Sequence, residues 1–244
     1  GYHVIKRYSD RPVSSAHALV QYMAKRPWDR WDTTLAQYND LRDHEFFFHA
    51  MRTGEILYPF RDGIYAPDVK DTVDFWSINS YVRDLIDARK ASTWGERFIF
   101  KKMQMIPRDF YLEEFNPECI INNLSRLTDK PVYISENGCS CDDDRFRIAF
   151  IAIYLAAVRE AINLGVDVRG YLYWSMLDNY EWSSFVPRFG LYEVNRNTFE
   201  RTPKPSASFL QGSHRQQRRQ PGNHPALSDG KPDPEKVRSD RRIW

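Results

Sequence analysis

Three runs of this sequence that read as β-strands each end in side chains able to do chemistry. Asn79 and Tyr81 follow the first run, Glu136 follows the second, and Trp174 and Glu181 follow the third. Because the carboxyl ends of parallel strands meet at one edge of a sheet, these groups should converge on a single rim. Directed polar partners suit the hydroxyls of a sugar, and an indole suits its apolar face. A carboxylate at the anomeric carbon can act as a nucleophile, so the pattern favours a carbohydrate site.

The clearest positioning elements surround Glu136. Residues 131–135 read as a short buried strand, and residues 166–173 read as a second one. An amphipathic helix lies between them, with acidic residues at its start and a glycine at its end. A strand–helix–strand unit of this kind predicts two parallel strands joined by a right-handed crossover.

Other segments give coarser predictions. Residues 73–79 mix β-branched and aromatic side chains, which is typical of a buried strand. The spacing of apolar residues predicts helices over residues 14–23, 35–51 and 114–127. The charged stretch at residues 83–102 predicts irregular structure.

The composition excludes several classes of protein. The 244 residues carry a net charge of +2, which gives no electrostatic basis for binding nucleic acid or a membrane surface. No run of about 18 apolar residues is present, so no membrane span is expected. The N-terminal residues lack the apolar core of a signal peptide. Three cysteines without a C-x-x-C pair predict free thiols in a reducing compartment, and therefore a cytoplasmic protein.

No metal and no cofactor are expected. His44 and His49 flank a Glu-Phe-Phe-Phe run, but they are five residues apart, whereas a zinc-binding helix spaces its histidines four apart. Cys139 and Cys141 lie close to Glu136 in sequence, but no histidine accompanies them at a suggestive spacing. We interpret these two cysteines as loop thiols.

The composition changes at Gly212, after which Gln, Arg, His, Pro and Asp dominate and periodicity is lost. We therefore divide the chain into a folded part, residues 1–211, and a disordered basic, proline-rich tail, residues 212–244. This tail is either a solvated segment or a weak basic tether for an acidic partner, since arginines cluster near its start.

Several motifs resemble those of glycoside hydrolase family 1, the β-glucosidase family, and occur in the family's order. Residues 133–138, Tyr-Ile-Ser-Glu-Asn-Gly, resemble its nucleophile motif, usually written I/V-T-E-N-G. Residues 173–182 are similar to its W-S-L-L-D-N-F-E-W stretch, and residues 74–81 resemble D-F-I-G-I-N-Y-Y. Arg-Phe-Gly-Leu at 188–191 and Arg-Thr-Pro-Lys-Pro-Ser-Ala at 201–207 also fit.

The resemblance covers residues 35 to 210 and implies a (β/α)₈ barrel that hydrolyses β-glycosides with retention of configuration. It implies that Glu136 is the nucleophile, and that Asn79 and Tyr81 contact Glu136 or the sugar's 2-hydroxyl. The sugar-binding residues that it implies are Trp174 as the floor of the site, Glu181 and Trp182 for the hydroxyls at positions 3, 4 and 6, and Phe189 as part of the lining.

The sequence departs from the family in two respects. The general acid of the family lies in a T-x-N-E-P motif, and this sequence has no Asn-Glu-Pro run; Asn116, Pro117 and Glu118 have the same letters in another order. Only the last three barrel strands are recognisable, and three strands leave open edges. The expected fold class is α/β, as a partial (β/α)₈ barrel with a disordered C-terminal tail.

Three interpretations therefore stay open. The first is a β-glucosidase-like hydrolase that cleaves terminal β-D-glycosyl residues but is truncated and lacks its acid/base. The second is a non-catalytic remnant that binds a sugar or a protein partner, and the third is a chain without independent function. The expected ligand is a small β-glycoside whose sugar and aglycone the sequence does not fix. Open edges also predict self-association.

Overall fold

The computed structural model describes residues 1–58, 61–90, 114–181 and 184–219. Its α-helices are α1 (Tyr2–Lys6), α2 (Arg30–Asp40), α3 (Phe46–Thr53), α4 (Glu118–Leu124), α5 (Asp144–Asn163) and α6 (Pro205–Arg219). A π-helical turn at Leu41–Glu45 joins α2 to α3, and 3₁₀ turns lie at Pro67–Val69 and Ala88–Lys90. The strands are β1 (Ala16–Ala18), β2 (Gln21–Ala24), β3 (Glu55–Tyr58), β4 (Arg61–Tyr65), β5 (Trp76–Asn79), β6 (Arg83–Ile86), β7 (Val132–Asn137), β8 (Val168–Tyr173), β9 (Tyr192–Val194) and β10 (Arg201–Pro203).

A four-stranded sheet in the order β1-β5-β7-β8 is the centre of the fold, and all its neighbouring strands are parallel. The predicted strand–helix–strand unit is confirmed as β7, α5 and β8. Beside this sheet, β2 pairs with β6 in parallel, whereas β3–β4 and β9–β10 are antiparallel pairs. Parallel pairing places the carboxyl ends of β5, β7 and β8 at one rim, so that Asn79 stands opposite Glu136.

Local sequence determines where the helices around this sheet begin and end. Asp29 caps α2 by accepting hydrogen bonds from two N–H groups of the first turn, and Asp143 accepts one at the start of α5. Gly54 ends α3 with a φ of 81°, a left-handed conformation that glycine adopts at little cost.

The hydrophobic core covers one face of the sheet. On β5 and β7 the inward residues alternate with polar ones, so that Ile78 and Ile134 are fully buried while Ser77 and Ser135 lie on the opposite face. Helices α3, α4 and α5 supply the other side of the core; its largest fully buried side chains include Trp76, Tyr154, Phe48, Leu19, Ile120 and Leu124. The polar face of the sheet is thus left for the candidate site.

The helix predicted over residues 14–23 is wrong, because this segment forms β1 and β2. Leu19 is 1% exposed, and its N–H donates to the carbonyl oxygen of Asn79 at 2.8 Å. The apolar spacing of so short a run fits a buried strand as well as a helix, and pairing with β5 decides between them. The central sheet therefore has four strands where the sequence indicated three.

Other predicted boundaries also change. Part of the stretch expected to be irregular, residues 83–102, forms β6 and a 3₁₀ turn, while residues 91–102 lie outside the described residues. The helix predicted over residues 114–127 is present but shorter, as α4. Helix α6 continues through Arg219, past the predicted start of the tail, and residues 220–244 lie outside the described residues.

Both outer strands of the central sheet, β1 and β8, have one unpaired edge within the described ranges. The self-association predicted from open edges stays a prediction. None of the helices in these ranges combines the length and apolarity that a bilayer span needs.

Replacing Ile134 with alanine should destabilise the fold strongly, because Ile134 is fully buried between β7 and the helices. We expect a loss of about 2–5 kcal/mol in the free energy of unfolding, measured by urea denaturation. Ile153→Ala is the matched control, because Ile153 on α5 is 41% exposed, and it should cost about 0.5 kcal/mol or less. Equal losses in the two variants would contradict the assignment of this face as the core.

Candidate active site

Glu136 lies at the carboxyl end of β7 and is oriented by a residue that follows β5. The phenol of Tyr81 donates a hydrogen bond to Oε2 of Glu136 at 2.8 Å. The backbone of Glu136 is held by the same segment, because its carbonyl oxygen accepts from the N–H of Ser80, the residue before Tyr81, at 3.0 Å. The structure therefore brings together two of the residues that the sequence indicated, a carboxylate and a phenol.

Asn79 is held by a chain of hydroxyl groups on the polar face of the sheet. Ser77 donates from Oγ to Oγ of Ser135 at 2.9 Å, and Ser135 donates to Oδ1 of Asn79 at 2.7 Å. The amide of Asn79 is thus oriented next to Glu136 through the residue that precedes Glu136.

Asn137 ties the three strands of the site together from the buried side. Its Nδ2 donates to the carbonyl oxygen of Ser80 at 2.7 Å, and its Oδ1 accepts from the phenol of Tyr171 at 2.7 Å. Its carbonyl oxygen accepts from the N–H of Trp174 at 2.9 Å. Burial raises the pKa of the Tyr171 phenol, which stays a neutral donor.

Trp174 and Glu181 form a bonded pair beyond the end of β8. The indole Nε1 of Trp174 donates to Oε1 of Glu181 at 2.8 Å, and Glu181 is only 6% exposed. Burial raises the pKa of Glu181, the bond from Trp174 opposes the shift, and the negative charge of Glu136 adds to it. Glu136 is thus near enough to Glu181 for its charge to act on the carboxyl of Glu181.

The predicted place of Phe189 in the lining of the site stays a prediction. Its side chain is 2% exposed and so packs within the protein. Its carbonyl oxygen links α5 to the peptide after Trp174, since it accepts from Nη1 of Arg147 at 3.1 Å and from the N–H of Ser175 at 3.3 Å. Trp182 lies outside the described residues.

Two glycines allow backbones to pass very close together behind the site. A Cβ on Gly138 would lie 1.8 Å from the carbonyl oxygen of Trp174, and one on Gly190 would lie 2.1 Å from the nitrogen of Asp178. The segment with Gly190 is also held by Asp178, which accepts from the N–H of Gly190 at 2.8 Å and pairs with Lys204 at 2.9 Å. Only glycine fits at these two contacts.

Within the described ranges, no group of three or more His, Cys, Asp or Glu side chains is placed to hold a metal ion. The two histidines of the zinc-like run have separate partners: Nδ1 of His44 lies 3.0 Å from Nε2 of His17, and Nε2 of His49 lies 3.0 Å from Oε2 of Glu55. Cys139 and Cys141 are buried thiols that form no disulfide, with their Sγ atoms 3.9 Å apart.

Residues 48–218 match the family described as Glycosyl hydrolase family 1. The chain belongs to this family. Over 217 residues it is 31% identical to a β-galactosidase of Sulfolobus acidocaldarius, covering 84% of this chain and 43% of that protein. Over 159 residues it is 32% identical to beta-glucosidase 47 of Arabidopsis thaliana, covering 57% of this chain and 29% of that protein.

Solved structures agree with this assignment. A β-glycosidase from Pyrococcus horikoshii superposes with a TM-score of 0.66 at 30% identity, covering 87% of this chain and 49% of that chain. The fold is that of a partial (β/α)₈ barrel, as expected from the resemblance. The chain spans less than half the length of the two relatives named above.

Residues to which the resemblance assigned no role also build this site. Ser77 and Ser135 orient Asn79, while Arg147 and Asp144 hold the loops behind it. One signal was available in the sequence: an arginine inside the apolar face of a helix, three residues after an aspartate, indicates a buried ion pair. The serines gave no comparable signal.

Removing the charge of Glu136 should lower the pKa of Glu181, because that charge is one of the causes that raise it. The measurement is a ¹³C NMR titration of the labelled Glu181 carboxyl in the wild type and in Glu136→Gln. Glu193→Gln is the control, since the side chain of Glu193 is 58% exposed on β9. An unchanged pKa in Glu136→Gln would show that the two carboxylates do not share a site.

Proposed function

We propose that this chain carries the nucleophile side of a retaining β-glycosidase of the β-glucosidase type, with Glu136 as the nucleophile. The observation that supports this most directly is the hydrogen bond from the Tyr81 phenol to Oε2 of Glu136, at the rim that also holds Trp174 and Glu181. This arrangement presents one oriented carboxylate beside an indole and a second, buried carboxylate.

In the proposed reaction, Glu136 attacks the anomeric carbon of a β-glycoside. A bond forms between a carboxylate oxygen and this carbon while the bond to the leaving oxygen breaks, through an oxocarbenium-like transition state. Tyr81 holds Oε2, so the Tyr81 bond fixes the plane of the carboxylate during the attack. Water then hydrolyses the glycosyl-enzyme and frees Glu136.

Trp174 and Glu181 are proposed to hold the sugar. The indole of Trp174 offers an apolar surface to the ring, and its N–H fixes the carboxylate of Glu181 toward the hydroxyls. We propose that Trp182 adds a further contact and that Asn79 binds near the 2-hydroxyl. The relatives named above are a β-galactosidase and a β-glucosidase, so we propose a β-D-glycosyl substrate and no single sugar.

This sequence has no Asn-Glu-Pro run like that of the family's acid motif. Retaining glycosidases place two carboxyl groups about 5–5.5 Å apart, and the second one protonates the leaving oxygen. The run Asn116-Pro117-Glu118 leads into α4 instead, where Oδ1 of Asn116 accepts from the N–H of Cys119 in the first turn at 3.0 Å. We therefore propose that this chain favours substrates whose leaving group needs no proton.

Incubation with a 2-fluoro-2-deoxy-β-glucoside that carries a dinitrophenyl leaving group should label the chain once. The reagent needs no general acid, and its fluorine slows hydrolysis of the adduct, so a competent nucleophile is trapped. We expect intact mass spectrometry to show one sugar adduct, and peptide mapping to place it on Glu136.

Glu136→Gln is the control and should take no label, because an amide is a poor nucleophile. Absence of an adduct on the wild-type chain would favour a sugar-binding or partner-binding role instead. An adduct on another residue would disprove the assignment of Glu136.

Hydrolysis of alkyl glycosides should be much slower than that of activated aryl glycosides. Loss of general acid catalysis costs about 10²–10⁴-fold, and the cost is largest when the leaving group is basic. The measurement compares kcat/KM for a methyl β-glucoside and a dinitrophenyl β-glucoside. Comparable efficiency on both substrates would show that another group supplies the proton.

A further inference from the structure

Arg147 lies on α5, and its side chain is only 1% exposed. Its guanidinium lies within hydrogen-bond distance of six acceptors, three of which share the two N–H groups of Nη1. Nη1 donates to the carbonyl oxygens of Cys139 at 2.9 Å and Phe189 at 3.1 Å. Nη2 donates to those of Cys141 at 2.8 Å and Arg188 at 2.9 Å. Four backbone carbonyls from two separate segments thus accept from one side chain.

These two segments are walls of the proposed site. Cys139 lies three residues after Glu136, on the turn that leaves β7. The carbonyl oxygen of Phe189 also accepts from the N–H of Ser175, the residue after Trp174. One guanidinium therefore joins the turn after the nucleophile to the peptide after the indole. Nη1 also donates to the phenol of Tyr173 at 3.1 Å, at the end of β8.

Asp144 anchors this guanidinium and extends the network to α6. Its Oδ1 accepts from Nε of Arg147 at 2.8 Å and from Oγ of Ser206 at 2.8 Å, while its Oδ2 accepts from the N–H of Ser206 at 2.7 Å. Ser206 is fully buried in the first turn of α6. The charge of Arg147 is thus paired, and its position is fixed from a third element.

We propose that Arg147 is a positioning residue for the reaction, fixing Glu136 relative to Trp174 without touching the substrate. This inference rests on the function proposed above. The geometry requires arginine: a guanidinium has five N–H donors in a fixed planar fork, whereas an ammonium has three on a single nitrogen. Lysine keeps the charge but cannot reach carbonyl oxygens on both segments at once.

The test is Arg147→Lys, with Ile151→Val as a matched control on the same helix. Ile151 is fully buried and makes no bond to either loop, so its variant reports on a small loss of core packing alone. The measurement is the rate of labelling by the dinitrophenyl 2-fluoroglucoside at several reagent concentrations, well below the melting temperature of each variant. This separates the limiting rate constant from the concentration that gives half-maximal labelling.

We expect the limiting rate constant of Arg147→Lys to fall about 10–100-fold, because a small misplacement of a reacting group has effects of this size. The half-maximal concentration should change much less, because Trp174 and Glu181 stay bonded to each other. Ile151→Val should match the wild type in both quantities. A limiting rate constant of wild-type size in folded Arg147→Lys would overturn the proposal.

Millimolar guanidinium, far below denaturing concentrations, provides a second readout. It should restore part of the labelling rate in Arg147→Ala, because the free ion can occupy the vacated space between the carbonyl oxygens. It should not accelerate the wild type or Ile151→Val. Failure of rescue in a folded Arg147→Ala would count against the positioning role.

Amide hydrogen exchange distinguishes failure of this inference from failure of the proposed function. If the wild type takes no label, the proposed function fails, and exchange still reports on the contacts of Arg147. Faster exchange at residues 139–141 and 188–190 in Arg147→Lys would then support the joining of the two segments. Unchanged exchange there would overturn it.

Discussion

The candidate site depends on the parallel register of β5, β7 and β8. The side chain of Asn137 holds that register at the carboxyl ends of the strands. Its buried amide donates to the carbonyl of Ser80 beyond β5 and accepts from Tyr171 on β8, so it reaches both neighbouring strands. A buried polar group that loses its partner costs about 1–3 kcal/mol. A slip of one residue would also turn Glu136 toward the helices. The register is therefore fixed by the residue next to Glu136.

The fold was predictable where sequence pattern and tertiary pairing agree. The β7–α5–β8 unit is built from contiguous residues, and its strands, helix and closing glycine all indicate the same arrangement. Residues 14–23 were not predictable in this way, because a short apolar run does not distinguish strand from helix. Their structure is decided by pairing with β5 and β6, far along the chain, where Leu19 donates to the carbonyl of Asn79.

The candidate site was predictable as a set of residue types but not as a network. Glu136, Tyr81, Trp174 and Glu181 are found in two bonded pairs, because their motifs stand at the ends of neighbouring strands. The loops that carry these residues are held by hydrogen bonds from Arg147 to main-chain carbonyls. Any residue supplies a backbone carbonyl, so such contacts leave no trace in the residue types. Phe189 shows the same limit, since the carbonyl that accepts from Arg147 would be present with any residue at that position.

Neutral donors orient both carboxylates of the site. Glu136 accepts from a phenol and Glu181 from an indole, and within the described ranges neither forms a salt bridge. The nearby guanidinium of Arg147 is directed instead at backbone carbonyls and Asp144. In the proposed reaction, a cation paired with Glu136 would weaken it as a nucleophile. It would also oppose the positive charge that develops on the sugar. Phenol and indole donors fix direction without cancelling charge, so they do not offset the carboxylate charge that would stabilise the oxocarbenium-like transition state of the proposed reaction.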